Sequence, residues 1–281
     1  MGGHGSYLPG AARGCGGPRL LLGLAFAAFA LFSYFGQKTV NPITGEEQYI
    51  AITTEQEVAL GLQAAPEMVA QHGGVSRDPE AVRAVEAVGR RIVERTSAAR
   101  SDYEFTFTLL GDERTVNAFA LPGGPVFITE ALLARLSTEG ELAGVLGHEI
   151  GHVLARHGAE QIAKQQLTQG LTGALVLSTY DPEHPSSANT AQVGLLVASL
   201  VTLKYGRDDE LEADRLGVRL MTEAGYDPRS LIAVMKVLGE AGAGGPPEFM
   251  STHPDPGNRA GRIAEAIAAE FPQGLPAGLE P

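Results

Sequence analysis

His148, Glu149 and His152, in the run HEIGH, are side chains whose types and spacing could do chemistry together. On a helix, positions four apart lie on one face, so the two imidazoles project side by side and can share one divalent cation, with zinc the natural choice at one ion per chain. The glutamate between them then sits next to that ion, where its carboxylate can act as general base toward water. An amphipathic helix with two solvated histidines satisfies the same short pattern. The rest of the chain has to decide between the two.

Two histidines leave a zinc site short of a protein ligand. The spacing that adds a glycine three residues and a histidine six residues after the second histidine is absent, because those positions are Ala155 and Gly158. The best candidate for third ligand is Glu210, in the run RDDELEADRLG. Glu210 and Asp214 are four apart, so both project from one face of a second helix. The first can bind the ion while the second orients a ligand histidine through its free N–H. Glu160, Glu183 and His157 are rivals, although Glu160 and His157 lie so near the first helix that turning back onto the same ion is difficult. His157, His184, His72 and His4 otherwise read as structural or solvated.

The elements that must hold these side chains are partly visible. Thr138 and Glu141 have the spacing of a helix-starting capping box. Leu142, Val145, Leu146, Ile150, Val153 and Leu154 then repeat at three- and four-residue steps, an apolar helical stripe. Gly144, Gly147 and Gly151 fall in the same stretch, each costing about 1 kcal/mol relative to alanine inside a helix. Such costs point to a close approach there by another backbone or a substrate. Upstream, Asn117 to Leu121 and Val126 to Thr129 read as short strands around the turn Pro122-Gly123-Gly124-Pro125. An edge strand beside a metal can pair with an extended substrate, and glycines let its backbone come close. Asn117 either holds that strand or touches substrate, the structural role being preferred.

At this point the chain resembles a known family. HEIGH followed by ELEAD is similar to the gluzincin metallopeptidases of the HtpX and CAAX prenyl protease type, nearest to exported BepA-like and mitochondrial OMA-type members. Val116 to Thr129, VNAFALPGGPVFIT, and Ser251 to Arg262, STHPDPGNRAGR, resemble two further family segments in the family's order. One departure is Gly206, where many members have serine before the retained Arg207. The resemblance implies zinc held by His148, His152 and Glu210, with Asp214 behind them and Glu149 catalytic. It implies Asn117, Ala118, Pro122, Gly123 and Gly124 on the substrate side. It also implies that His253 faces the site, either stabilising the oxyanion or capping the metal as a removable fourth ligand, with Arg259 as a matching cation on the substrate-binding side. The expected function is zinc-dependent endopeptidase action on envelope or membrane-associated proteins, plausible in protein quality control. The alternative is a catalytically weak chaperone or assembly factor that keeps a structural or plugged zinc site.

Composition fits an enzyme domain with an appendage. The chain has 281 residues, 44% hydrophobic, enough for a real core. Its formal charge of −12 and lack of long basic runs argue against nucleic acid as a partner. Cys15 is the single cysteine, so neither an intramolecular disulfide nor a cysteine-ligated zinc site is available. Arg13 and Arg19 precede an apolar run from Leu20 to Phe35. As a helix it spans about 24 Å against a hydrocarbon core of about 30 Å. This is a signal anchor, preferred because the run continues past Ala30, or a signal peptide cleaved after Ala28-Phe29-Ala30. Either places the domain on the exported, periplasmic or extracytoplasmic side.

The expected organisation is residues 1–36 as the anchor or signal, 37–75 as a lead-in, 76–270 as the metallopeptidase domain and 271–281 as a flexible tail. The lead-in carries a turn at Asn41 to Gly45 and a helix from Thr54 to Val69. Helices are expected from Asp78-Pro79 to Thr96 and from Asp227-Pro228 to Leu238, with a strand from Tyr103 to Leu110. Leu171 to Leu177 and Val193 to Leu203, flanking the polar loop Asp181 to Asn189, are apolar but short for a bilayer, and are expected to pack in the core, with an interfacial contact as the alternative. The fold class is α+β, mostly helical and zincin-like, with a small sheet beside the metal helix.

Overall fold

The structure, a computed structural model, describes residues 17–179, 205–241, 248–253 and 258–281. The expected Asp181–Asn189 loop and Val193–Leu203 stretch lie outside these residues. Two compact units are formed: Gln37–Ala163 with Thr202–Pro281, and Met1–Gly36 with Lys164–Val201.

The larger unit begins with a hairpin, β1 (Lys38–Val40) and β2 (Glu47–Tyr49), followed by α2 (Thr54–Gln71) and α3 (Pro79–Arg95). Both helices start where side chains can take up orphan N–H groups. Thr53 and Gln56 form a reciprocal capping box, and Asp78 accepts from the N–H groups of Glu80 and Ala81 with Pro79 just inside. Val85, Val88 and Ile92 of α3 are buried against the sheet. Close contact is possible because a side chain at Gly89 would collide with the Phe107 ring at 2.5 Å.

The sheet has strands β3 (Thr106–Leu110), β4 (Ala118–Ala120) and β5 (Pro125–Thr129) in the order β3-β5-β4. The wholly buried β5 runs parallel to β3 and antiparallel to β4, pairing Ala118 with Ile128 and Ala120 with Val126. β3 begins at Thr106, later than the alternating pattern from Tyr103 suggests. Its partner there is Pro125, which has no N–H to extend the ladder. Thr129 closes β5: its hydroxyl bonds the Thr115 carbonyl at 2.6 Å and accepts from Leu132 N–H at the start of the short helix α4 (Glu130–Leu133).

Helix α5 (Glu139–Leu154) carries HEIGH and is buried from Leu142 onward. Thr138 caps it by accepting from Glu141 N–H, while the Glu141 carboxylate reaches back to Ser137 N–H, one residue earlier than the reciprocal box requires. The glycines serve another backbone, that of α7 (Arg207–Ala224). A Cβ at Gly151 would lie 2.9 Å from the Ala213 carbonyl, and one at Gly217 would lie 3.3 Å from His148 N. Gly144 faces the Leu231 Cα of α8 (Arg229–Ala241). Gly206 opens α7, with Asp209 accepting from its N–H at 2.8 Å, and Gly225 closes it at φ +90°. The unit is completed by α9 (Glu248–Thr252) and α10 (Arg259–Glu270).

Two segments outside the expected peptidase domain pack onto it. The lead-in hairpin is part of the metal helix's support: Asn41 Nδ2 donates to the Leu154 carbonyl and Gln48 Nε2 to the Ala155 carbonyl, both at 2.8 Å. These bonds satisfy carbonyls that a helix end leaves orphaned. The tail, expected to be flexible, returns to the domain. Glu280 N–H donates to Gly225, Asp227 N–H to Glu280 and Gly140 N–H to Pro281, while the Glu280 carboxylate meets Arg91 at 2.6 Å. Backbone pairing outweighs the tail's Pro/Gly composition here.

In the smaller unit, α1 (Gly17–Phe35) contains the window Pro18–Phe35, long and apolar enough to cross a membrane and only 6% buried. It meets the later part of α6 (His157–Thr179) through small residues, Gly23 against Ala174 and Ser178, and Ala30 against Gly170. Leu171, Leu175 and Leu177 were expected in the core. They are instead 37%, 47% and 49% exposed. Small residues form the contact, leaving the leucines facing outward.

Candidate metal centre

His148 and His152 lie one turn apart on α5, and their Nε2 atoms are 3.0 Å apart. Helix α7 crosses above and brings Glu210 to 3.4 Å from His148 Nε2 and 3.5 Å from His152 Nε2. His253, just after α9, presents Nδ1 at 3.0 Å from Glu210 and 3.4 Å from His148. Donor atoms of these four side chains all lie within 4.8 Å of one another, and every one of the four residues is at most 2% exposed. The ring of His253 is stacked on Phe249 with centroids 4.4 Å apart, and the His253 backbone N–H donates to the Phe249 carbonyl.

Behind these donors is a buried charge network. Asp214 Oδ1 sits 3.0 Å from His148 Nδ1, the nitrogen turned away from the cluster. Arg259, at the start of α10, grips Asp214 with two bonds of 2.8 Å and places Nη1 3.1 Å from Glu210. Arg259 is therefore held by acids of this chain. Burial would raise the Glu210 carboxyl, but bonds from His148 and His253 outweigh it and hold the group far below the ordinary carboxylate value. Burial and the Arg259 charge push His148 down, whereas Asp214 and Glu210 pull it up, to about 9. For His152 burial and the surrounding imidazoles act in one direction, well below the usual value.

Glu149 points into the same enclosure. Among the described residues both its carboxylate oxygens are buried without a hydrogen-bond partner, the nearest imidazole nitrogen being His253 Nε2 at 3.6 Å. Burial raises its pKa. A buried carboxylate with nothing to accept from is costly, and this one occupies the position from which it can act on a small molecule beside the donors. Imidazole nitrogens and a carboxylate oxygen are zinc donors, and three or four of them around one point is zinc's coordination number. The residues present fit that ion.

The remaining expected residues lie around β4. Asn117 is buried, donates its N–H to Thr129 Oγ1 and its Nδ2 to Glu248, each at 3.2 Å, while its Oδ1 has no partner among the described residues. Ala118 opens the outer strand and is buried. At Gly123 and Gly124 the close approach comes from the chain itself. Added Cβ atoms would meet the Val58 backbone at 2.4 Å and the Glu104 carbonyl at 2.6 Å, and the Pro122 carbonyl packs on Gly61 of α2. The backbone these glycines admit is thus that of α2 and of the segment before β3.

Several further side chains approach the centre, and of these the sequence marked His157 alone, as a rival third ligand. His157 turns back from the first residue of α6 to place Nδ1 2.8 Å from His152 Nδ1, and its Nε2 lies 3.3 Å from Glu212. The reversal comes at Arg156, whose φ of +60° has neither glycine nor asparagine to announce it. Arg156 in turn ion-pairs with buried Glu57, which also receives the Tyr103 hydroxyl at 3.0 Å. Tyr205 stacks on His152 with centroids 4.1 Å apart.

Residues 79–267 match Peptidase family M48. The chain belongs to this family. The match runs from the start of α3 to α10 and so contains every side chain of the cluster. Among relatives of this M48 chain, the mitochondrial metalloendopeptidase OMA1 of Arabidopsis thaliana is 36% identical over 162 residues, 58% of this chain and 32% of that protein. The beta-barrel assembly-enhancing protease of Escherichia coli strain K12 is 31% identical over 189 residues, covering 65% and 38%. The mitochondrial metalloendopeptidase OMA1 of Schizosaccharomyces pombe is 30% identical over 237 residues, covering 83% and 67%. The chain thus spans about a third of the length of the first two, 32% and 38%.

Proposed function

We propose that this M48 chain is a zinc-dependent endopeptidase, with His148, His152 and Glu210 holding the ion and Glu149 as general base. The observation that carries the reading is the buried Glu149 carboxylate, unpartnered and facing four converged donor side chains. Bound zinc would supply Lewis acidity, polarising the scissile carbonyl and lowering the pKa of water toward about 7. Glu149 takes a proton from the attacking water and passes it to the leaving amine, a transfer favoured by the raised pKa that burial gives it. Asp214 holds His148 by its outward nitrogen, and Arg259 holds Asp214. The outer edge of β4, with Asn117, Ala118 and Pro122 along it, is where an extended substrate backbone would pair.

The relatives' names, a mitochondrial metalloendopeptidase and a protease that enhances beta-barrel assembly, support membrane-associated or envelope proteins as substrates and a part in protein quality control. The apolar α1 supports attachment to a membrane, and Arg13 and Arg19 ahead of its apolar run support the extracytoplasmic side for the peptidase domain.

One observation favours a second reading. His253 stands among the donors, and a closed set of four ligands is the mark of a structural zinc site. That is the site expected of an assembly factor with little catalysis. The test is cleavage of an unfolded casein by wild type, Glu149→Gln and His253→Ala, with zinc content measured alongside. The peptidase reading expects Glu149→Gln to keep about one zinc and lose cleavage, and His253→Ala to keep its zinc. Zinc-independent cleavage, or cleavage retained by Glu149→Gln, sinks it. Zinc lost from His253→Ala together with an inert wild type supports the structural site.

A further inference from the structure

An imidazole ligates a metal through a nitrogen that carries no proton, so in a neutral ring the other nitrogen must carry it. For His152 the nitrogen facing His148 and Glu210 is Nε2, and the proton therefore belongs on Nδ1. What lies against Nδ1 is not a carbonyl or carboxylate but a second imidazole, Nδ1 of His157, at 2.8 Å, with both rings buried. At that distance one nitrogen donates and the other accepts, and the pair alone does not say which. The choice is made one ring further out. His157 Nε2 lies 3.3 Å from the Glu212 carboxylate, which as an anion only accepts. A neutral His157 meets it by carrying its proton on Nε2, which leaves a bare Nδ1 to accept from His152.

We propose that Glu212 and His157 form a positioning relay that fixes the tautomer and ring plane of His152 and so aims its Nε2 lone pair into the donor cluster. The inference rests on the metal-site reading above. It also accounts for an asymmetry between the two helix-borne histidines. Asp214, one turn from Glu210 on α7, reaches His148 Nδ1 directly. Glu212 lies two residues from each, about 200° around the helix, and needs an intermediary to reach the other histidine. His157 fills that gap because the reversal at Arg156 turns the start of α6 back toward α5. Tyr205, stacked on the His152 ring, restrains the same ring plane.

The test measures zinc affinity of the full chain by competition with a chromogenic chelator, together with histidine ¹⁵N spectra of the zinc-free protein. His157→Leu is expected to weaken zinc binding about 10- to 100-fold. His157→Asn, whose carbonyl can accept from His152, should recover part of that loss, which a merely space-filling role would not allow. Glu212→Ala is expected to weaken binding less than His157→Leu. The spectra should show His152 protonated at Nδ1 in wild type and a mixture of tautomers in His157→Leu. Circular dichroism checks folding, and if His157→Leu fails to fold, the partly exposed Glu212 carries the test. Unchanged affinity in the folded variants, or wild-type His152 protonated at Nε2, overturns the relay. His152→Ala separates the two ideas: if it keeps its zinc, the metal-site reading fails, and if it loses zinc while His157→Leu does not, the relay alone fails.

Discussion

Arg259 touches two buried acids of the centre, Asp214 and Glu210, and its removal leaves them only imidazoles as partners among the described residues of a dry enclosure. Breaking a buried pair from one side costs about 3–5 kcal/mol, because the surviving charge is stranded. Arg259→Leu is therefore expected to destabilise the zinc-free protein by about that amount in urea unfolding. Zinc brings its own charge to Glu210, so the loss should be smaller in the zinc-loaded protein. Equal losses in the two forms would mean that Arg259 acts by packing alone. At this scale the sequence exposed residues whose roles follow from periodicity. His148 with His152, and Glu210 with Asp214, are legible because a four-residue step fixes a shared face before any tertiary contact exists. The role of His157 was not legible, since it depends on a backbone reversal at Arg156 that no residue type there foretells.

At the scale of elements, the metal helix is a compromise between propensity and proximity. Its glycines weaken α5 as an isolated helix, yet they let α7 come near enough for Glu210 to reach the histidines. Gly151→Ala is expected to destabilise by about 1–3 kcal/mol despite alanine's better helix propensity, since its Cβ would press on the Ala213 carbonyl, which is backbone and cannot swing away. Gly239 is an exposed position of α8 where an added Cβ meets nothing within 4 Å among the described residues, and Gly239→Ala is expected to stabilise by about 0.5–1 kcal/mol. Opposite signs for one substitution, read from paired urea melts, separate close packing from propensity. Stabilisation by both would remove the packing argument. Helix starts at Asp78 and Thr138 were readable because caps are local chemistry. The lead-in hairpin's bonds to Leu154 and Ala155, and the tail's pairing with Gly225, were not, because both join residues far apart in the chain.

At the scale of the whole molecule, the surface offers two different ways to meet a membrane, and physics separates them. A net charge of −12 is repelled by anionic headgroups, so electrostatic attraction is a poor basis for attachment. Helix α1 instead exposes Leu20 to Leu22, Leu24, Phe26, Phe29, Phe32 and Phe35, and burying each such side chain contributes about 1.5–3 kcal/mol. Attachment through α1 should therefore survive salt, which screens charges over about 3 Å at 1 M and leaves apolar burial intact. The full chain is expected to float with neutral phosphatidylcholine vesicles equally well at low salt and in 1 M sodium chloride, and to be released by detergent. Phe26→Asp with Phe29→Asp places two charges on the apolar helix and should abolish flotation while leaving zinc content unchanged. Leu171, Leu175 and Leu177 on α6 offer a smaller outward apolar face. Their joint replacement by serine should weaken flotation without abolishing it, as the smaller area requires. Release by salt alone, or full flotation of the double aspartate variant, would show that α1 is not the attachment.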